Sequence, residues 1–277
     1  MAATSVRPSG TVLTSTDATA IPVAASTAVR RILCGPPRPA VVIGTPAGAV
    51  YLRTDDGELL AVLAPTAARL PMAAVAVDAL RERPEPGQRG SVGAGRIDAG
   101  GLSAHVVRWW DPRPVLPLWT PELLAANLAQ ISLADPEIGL PPGPVRALRA
   151  ALHDRDHTVT VRAASALIGL GPGLTPSGDD VLIGLISSLV CLGHPVSAPT
   201  AAAVMASAHG RTTDLSLALL RHASLGECVG AVGTLLRALA GAGDLPAAQR
   251  RLLAVGHGSG TALCIGVLLG AASVARA

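Results

Sequence analysis

GLGPGLTPSGDD, residues 169–180, joins a glycine-rich turn to the start of an apolar helix. Thr175 followed by Pro176 fits a helix N-cap with proline at the first helical position. Ser177 with Asp180 three residues later is an alternative start, a capping-box variant with Asp in place of Glu or Gln. The apolar run that follows, 181–190, predicts a buried helix. Either start gathers unpaired backbone N–H groups at one helix end, which favours a bound anion.

The chain downstream of Thr120 predicts a mainly helical domain, residues 120–277. Thr120-Pro121-Glu122 combines an N-cap, a proline at the first helical position and an early acid, which is a strong helix start. Further helices are predicted over 144–153, 161–170, 178–192, 200–208, 214–223, 227–240, 246–255 and 260–274. Most are separated by Gly or Pro, so the connections are short.

The chain upstream predicts a small β-rich domain, residues 20–110. Short apolar runs separated by turn residues predict strands over 40–43, 49–53, 59–63, 89–92, 96–98 and 103–110. Asp55-Asp56-Gly57 is a hairpin signal. We expect residues 1–19 to be a poorly ordered terminus and the proline-rich segment 111–119 to be a linker. The predicted fold class is α+β, with a sandwich or barrel-like β-rich domain followed by a helical one.

Composition excludes several classes of function. Hydrophobic residues make up 49% of the chain, but Ser or Gly interrupts its longest apolar runs, which are shorter than the roughly 20 residues of a spanning helix. A net charge of +3 with 1% aromatic residues gives no support for nucleic-acid binding. Because every basic residue is Arg and no dinucleotide motif occurs, we expect no nucleotide, flavin or pyridoxal cofactor. The four widely spaced cysteines show no metal or redox spacing, which favours a reducing cytoplasm.

Two later loops resemble the first in character. Residues 209–214 (HGRTTD) and 256–261 (GHGSGT) each place Gly, a hydroxyl and a charged or titratable side chain before an apolar helix. If the three helix starts converge, their N–H groups and dipoles would form a pocket for phosphate or carboxylate, with Arg211 as a fork-shaped clamp. Taken singly, these hydroxyls are also explained by capping alone.

The three loops together resemble the AllH-like family. GLTPSGDD (173–180) looks like the family signature, RTT (211–213) resembles its second block and GHGSG (256–260) its third. The third block departs from the family pattern, because Thr261-Ala262 stands where an acid is expected. Members are described as a subunit of an oxamate carbamoyltransferase in allantoin breakdown, which moves a carbamoyl group between phosphate and oxamate.

The resemblance and the motif chemistry together give a candidate site. The candidate catalytic residues are Asp179, Asp180 and His257. The candidate substrate-binding residues are Gly171, Gly173, Thr175, Ser177, Gly178, Arg211, Thr212, Ser259 and Gly260. Asp179 and Asp180 are also candidate Mg²⁺ ligands. The expected partners are a small anion such as carbamoyl phosphate or an oxamate-like acid, and either other subunits of an enzyme complex or further copies of this chain.

Three functions therefore stay open at this point. The first is a carbamoyltransferase subunit acting on a small carboxylate or amide. The second is a non-catalytic ligand-binding or assembly subunit, whose apolar helices serve as an interface. The third is a metal-dependent hydrolase that uses Asp179 and Asp180.

Overall fold

The computed structural model describes residues 20–132 and 138–277. Strands occupy the N-terminal part and helices the C-terminal part, so the predicted α+β class is confirmed. The predicted poorly ordered terminus, residues 1–19, lies outside the described residues. Over the described ranges, every helix is too short or too polar to cross a membrane.

The N-terminal strands close into a barrel, which decides between the two predicted architectures. The strands are β1 (Ile21–Ser26), β2 (Arg38–Gly44), β3 (Ala49–Thr54), β4 (Leu59–Leu63), β5 (Ala73–Ala76), β6 (Arg89–Gly93), β7 (Arg96–Ala99) and β8 (Leu102–Trp110). Their order around the barrel is β1-β5-β4-β3-β2-β6-β7-β8. Parallel pairing of β1 with β8 closes it, and β4 and β5 are also parallel.

The predicted strands are present with bounds within two residues, but two others were not predicted. The hairpin at Asp55-Asp56-Gly57 joins β3 to β4, and Gly57 has a φ of 83°, which suits glycine. The strands β1 and β5 are the additional ones. All four residues of β5 are buried, so this strand lacks the alternation of polar and apolar residues by which a half-exposed strand is recognised. A short helix, α1 (Arg30–Cys34), was likewise not predicted.

Helices follow the barrel, close to the predicted positions. They are α2 (Pro121–Leu128), α3 (Pro142–Asp154), α4 (His157–Ser165), α5 (Ser177–Cys191), α6 (Ser197–Ala208), α7 (Asp214–Ser224), α8 (Gly230–Leu239), α9 (Leu245–Leu253) and α10 (Ser259–Val274). Thr120 caps α2 as predicted, accepting a hydrogen bond from the Leu123 N–H at 3.2 Å. The largest difference is α4, which begins at His157 and ends at Ser165, ahead of the predicted 161–170.

Helices α5 and α10 form the centre of the helical part. Their backbones approach so closely that a Cβ on Gly184 would lie 2.2 Å from the Leu263 carbonyl oxygen, and one on Gly266 would lie 2.0 Å from that of Val181. Only glycine allows this contact. Farther along, Ser188 Oγ donates to the Val267 carbonyl at 3.0 Å. A Cβ on Gly270 would lie 2.6 Å from Ser188 Cβ, so the contacts advance along both helices from Val181 with Gly266 to Ser188 with Gly270. The two helices are therefore parallel and begin side by side.

The barrel contacts the helical part through α7 and the start of α8. Arg53 of β3 pairs with Asp214 at 2.8 Å, and Arg221 pairs with Glu58 at 2.5 Å. The Gly230 N–H donates to the carbonyl of Arg69, in the β4–β5 loop, at 2.8 Å. These contacts place one side of the barrel opposite the helix starts that carry the predicted site.

Candidate functional site

The three predicted blocks meet at the start of α5. Thr175 Oγ1 lies 3.1 Å from Ser259 Oγ, which joins the first block to the third. The Thr212 hydroxyl donates to Asp179, and Thr213 Oγ1 donates to the Leu174 carbonyl at 2.7 Å, which joins the second block to the first. Hydrogen bonds therefore connect the first block to both of the other blocks.

The turn before α5 needs its glycines for backbone conformation. Gly169, Gly171 and Gly173 have φ values of 71°, 108° and 102°, in the region that side chains disfavour. A Cβ on Gly169 would also lie 2.0 Å from the Arg211 carbonyl oxygen. The turn is therefore shaped by close contact with the second block.

Both predicted caps of α5 are wrong. The helix begins at Ser177 after Pro176, with no side-chain cap hydrogen bond. The N–H of Gly178 donates instead to the Leu170 carbonyl at 2.8 Å, so the preceding turn satisfies part of the helix start. Thr175 lies one residue before the N-cap position of α5, and its hydroxyl donates to Asp180 Oδ2 at 3.2 Å.

Asp179 is fully buried and uses both of its oxygens within the protein. Oδ1 accepts the Gly169 N–H at 2.9 Å, and Oδ2 accepts the Thr212 hydroxyl. An ionised carboxylate is an acceptor only, so these two donors match it. Asp179 thus fixes the glycine turn and the second block to the start of α5.

Asp180 faces a different environment. Its side chain is buried, yet it contributes to the wall of a cavity together with Thr175 and Ser259. Burial raises the pKa of Asp180 to about 7, and the charge of Asp179 adds to this, while hydrogen bonds from Ser259 and Thr175 oppose it. A carboxyl group with a pKa near neutrality can both donate and accept a proton under ordinary conditions.

The cavity lies between the barrel and the helical part and has a volume of about 1290 Å³. Its walls come from the barrel, the 111–119 segment, α7, α8, and the stretch from α9 to α10. Representative lining residues are Tyr51, Trp110, Leu215, Thr234 and Val255. The candidate site is therefore built by both halves of the molecule.

Four arginines also line this cavity, and sequence reasoning did not identify them. Arg113 is paired with Asp111 through two hydrogen bonds of 3.0 and 3.1 Å. The guanidinium groups of Arg69, Arg237 and Arg251 are exposed and have no hydrogen bond or ion pair with any residue of 20–132 or 138–277. They lie outside the three blocks, so no local pattern linked them to the site.

Several predicted site residues lie away from the cavity wall. Arg211 donates through Nη2 to the Ser165 carbonyl at 2.9 Å, and His257 is exposed in the turn before α10. Gly178 and Gly260 allow close backbone packing, since a Cβ there would lie 2.0 and 2.1 Å from carbonyl oxygens. The predicted residues outside the lining are Gly171, Gly173, Ser177, Gly178, Asp179, Arg211, Thr212, His257 and Gly260. Their roles in catalysis or substrate binding stay predictions.

Only one of the two predicted Mg²⁺ ligands faces the cavity. Asp180 presents its carboxyl group at the cavity, whereas both oxygens of Asp179 accept hydrogen bonds from the protein. Among the described residues, no group of three or more His, Cys, Asp or Glu side chains is arranged to hold a metal ion.

Comparison with known proteins supports the resemblance for part of the chain. The family model described as oxamate carbamoyltransferase subunit AllH matches residues 167–271, which include all three blocks. The resemblance to this family is therefore confirmed over that stretch, which is less than half of the 277 residues. No curated protein and no solved structure matches the chain.

Proposed function

We propose that this chain is a subunit of an oxamate carbamoyltransferase and that the cavity beside Asp180 is its reaction site. The observation that carries the proposal is the hydrogen-bonded series Asp180–Thr175–Ser259 in the cavity wall. All three residues lie within the stretch that matches the family model. We further propose that the reaction belongs to purine (allantoin) nitrogen catabolism in the cytoplasm.

The reaction requires a group that moves one proton. In the direction of transfer to oxamate, the amide nitrogen of oxamate attacks the carbamoyl carbon of carbamoyl phosphate. A C–N bond forms, the C–O bond to phosphate breaks, and the nitrogen loses a proton, which ionised Asp180 accepts. In the opposite direction, a phosphate oxygen attacks the carbamoyl carbon and neutral Asp180 protonates the departing amide nitrogen. A pKa of about 7 suits both directions.

The helix starts support the charge requirement of this chemistry. Attack on the carbamoyl carbon produces a tetrahedral intermediate with negative charge on oxygen, which fixed dipoles stabilise. Because α5 and α10 begin side by side, the positive ends of both helix dipoles lie next to Thr175, Asp180 and Ser259. We propose that this convergence of two helix starts stabilises the oxyanion.

A ligand titration tests the proposal directly. Oxamate and phosphonoacetamide, a stable analogue of carbamoyl phosphate, are titrated calorimetrically into the purified chain, and oxamate-dependent phosphate release is measured separately. We expect Asp180→Asn to bind both ligands but to lose about 10²- to 10⁴-fold in transfer, as is typical when a general acid or base is removed. Asp154→Asn, an exposed substitution at the end of α3, serves as the control. Absence of binding of both ligands, or full transfer activity in Asp180→Asn, contradicts the proposal.

A non-catalytic assembly subunit is the second candidate, and one observation favours it. Leu118 and Val115, both in the short 111–119 segment, are 101% and 85% exposed, and a partner subunit could cover both of these apolar side chains together. This candidate predicts a defined complex with other subunits and no binding of either ligand. The metal-dependent hydrolase is less well supported, because both oxygens of Asp179 are already hydrogen-bonded within the protein.

A further inference from the structure

The residues of 20–132 and 138–277 that line the cavity carry more positive than negative charge. Of the four lining arginines, Arg113 is paired with Asp111. The other lining acid is Asp180, whose pKa of about 7 leaves it about half ionised at neutral pH and largely neutral at lower pH. Arg69, Arg237 and Arg251 therefore give the described lining of the cavity a net charge of between two and three positive units, depending on the protonation of Asp180.

These three arginines come from three different elements. Arg69 lies in the β4–β5 loop, where its carbonyl accepts the Gly230 N–H at 2.8 Å. Gly230 also leaves space for the aliphatic part of the Arg69 side chain, since a Cβ on Gly230 would lie 3.1 Å from Arg69 Cβ. Arg237 follows Gly230 by seven residues, about 10 Å along the same lining face of α8. Arg251, at the end of α9, precedes Ser259 by eight residues. The arginines thus belong to the same cavity as the Asp180 series.

We infer that Arg69, Arg237 and Arg251 bind the dianionic phosphate group of the carbamoyl donor. This inference rests on the proposed function for the identity of the donor. A phosphate group has three terminal oxygens and a charge near −2, and guanidinium groups bind such oxyanions through paired, charge-assisted hydrogen bonds. Oxamate offers a single carboxylate with one negative charge, so it needs fewer cations. Arg69, Arg237 and Arg251 therefore bind the phosphate group, and the hydrogen-bonded series Asp180–Thr175–Ser259 faces the carbamoyl group.

Arg237 and Arg251 also lie in the last turns of their helices, where the helix dipole favours a cation whatever the ligand. Arg250 provides the matched control for this explanation. It is exposed in the same last turn of α9 but does not line the cavity. If these arginines only interact with the helix dipole, substitution of Arg250 and of Arg251 should have the same effect on phosphate affinity. If Arg251 binds phosphate, only its substitution should lower that affinity.

The test uses inorganic phosphate and phosphonoacetamide as probes, with oxamate for comparison. Each is titrated calorimetrically into the wild-type chain and into Arg69→Gln, Arg237→Gln, Arg251→Gln and Arg250→Gln. We expect each cavity variant to weaken both phosphate probes by about 10- to 100-fold, since each removes a charged donor. Oxamate affinity should stay within about twofold, and Arg250→Gln should bind all three ligands within about twofold of wild type. Thermal denaturation confirms that the variants are folded.

The outcomes separate this inference from the proposed function. Loss of phosphate binding in the cavity variants, in a chain that shows no oxamate-dependent phosphate release, supports the arginine site and contradicts the proposed transfer. Wild-type phosphate affinity in all three cavity variants overturns the inference, even if Asp180→Asn abolishes transfer. No binding of either phosphate probe to the wild-type chain, or equal losses in Arg250→Gln and Arg251→Gln, also overturns it.

Discussion

Asp179 and Asp180 are adjacent in the chain but belong to two different regions of the molecule. Successive residues of a helix point about 100° apart, so the two carboxyl groups leave α5 in different directions. Asp179 accepts hydrogen bonds from the Gly169 backbone and from Thr212, whereas Asp180 accepts one from Thr175 at the cavity wall. The comparison teaches that one acidic pair can serve two tasks, of which the first positions the second.

The same division extends through the three blocks. The holding side, defined as Gly169, Asp179, Arg211 and Thr212, makes hydrogen bonds and close contacts within the protein. The cavity side consists of Thr175, Asp180 and Ser259. Substitutions on the holding side should therefore lower stability, and those on the cavity side should change chemistry and its dependence on pH.

The largest effect is expected for Asp179→Ala. The substitution leaves the half-buried Gly169 N–H and Thr212 hydroxyl without the acceptor that the buried Asp179 provides, at a cost of about 1–3 kcal/mol for each unpaired group. We expect the free energy of unfolding, measured with urea, to fall by about 2–6 kcal/mol. Asp179→Asn, which keeps the shape and one acceptor oxygen, should lose less. A loss below about 1 kcal/mol for Asp179→Ala would show that Asp179 does not belong to the holding side.

The next effect concerns the pH dependence of stability. Because burial raises the pKa of Asp180 to about 7, from 3.8, the folded state prefers the protonated form. Its contribution is therefore favourable below pH 4 and is lost as pH rises towards 7, by about 4 kcal/mol in total. Urea unfolding at pH 5 and pH 8 should show Asp180→Asn gaining stability relative to wild type at the higher pH. Parallel pH profiles for the two proteins would contradict the buried, proton-binding role of Asp180.

The smallest effect is expected for Arg211→Ala. Its guanidinium group donates to the Ser165 carbonyl at an exposed position, so the free energy of unfolding should fall by only about 1 kcal/mol. We expect affinity for phosphate and oxamate to stay unchanged, in contrast to Arg251→Gln. Calorimetric titration of phosphate and oxamate into Arg211→Ala and wild type measures this affinity. A loss of affinity in Arg211→Ala would support the substrate clamp predicted from the sequence and move Arg211 to the cavity side.

Local sequence signals were sufficient for most of the fold. The Asp55-Asp56-Gly57 hairpin, the Thr120 cap and the long apolar helices depend on residues a few positions apart, and all are confirmed. The cap predicted at Thr175 is wrong because α5 begins one residue later, with Pro176 at the N-cap position. Its hydroxyl instead donates to Asp180 and lies 3.1 Å from that of Ser259, a residue far along the chain that no local pattern connects to it.

The cysteines show the same limitation. Their wide spacing gave no sign of a pair, yet the Sγ atoms of Cys191 and Cys228 lie 3.5 Å apart. The hydrogen bond with Cys191, together with burial, raises the pKa of the Cys228 thiol well above its ordinary value. The half-buried Cys191 and the buried Cys228 are 37 residues apart and become neighbours only when α5 packs beside the loop before α8.

The sequence by itself determined the glycine turn, the apolar helix behind it and the three blocks, because backbone conformation and hydrophobic burial follow from neighbouring residues. The tertiary structure decided which carboxyl group faces the cavity and raised its pKa, since both depend on what packs around α5. It also assembled Arg69, Arg237 and Arg251, which no local pattern connects. Electrostatic effects act through space, so their partners are known only once the barrel and the helices are packed together.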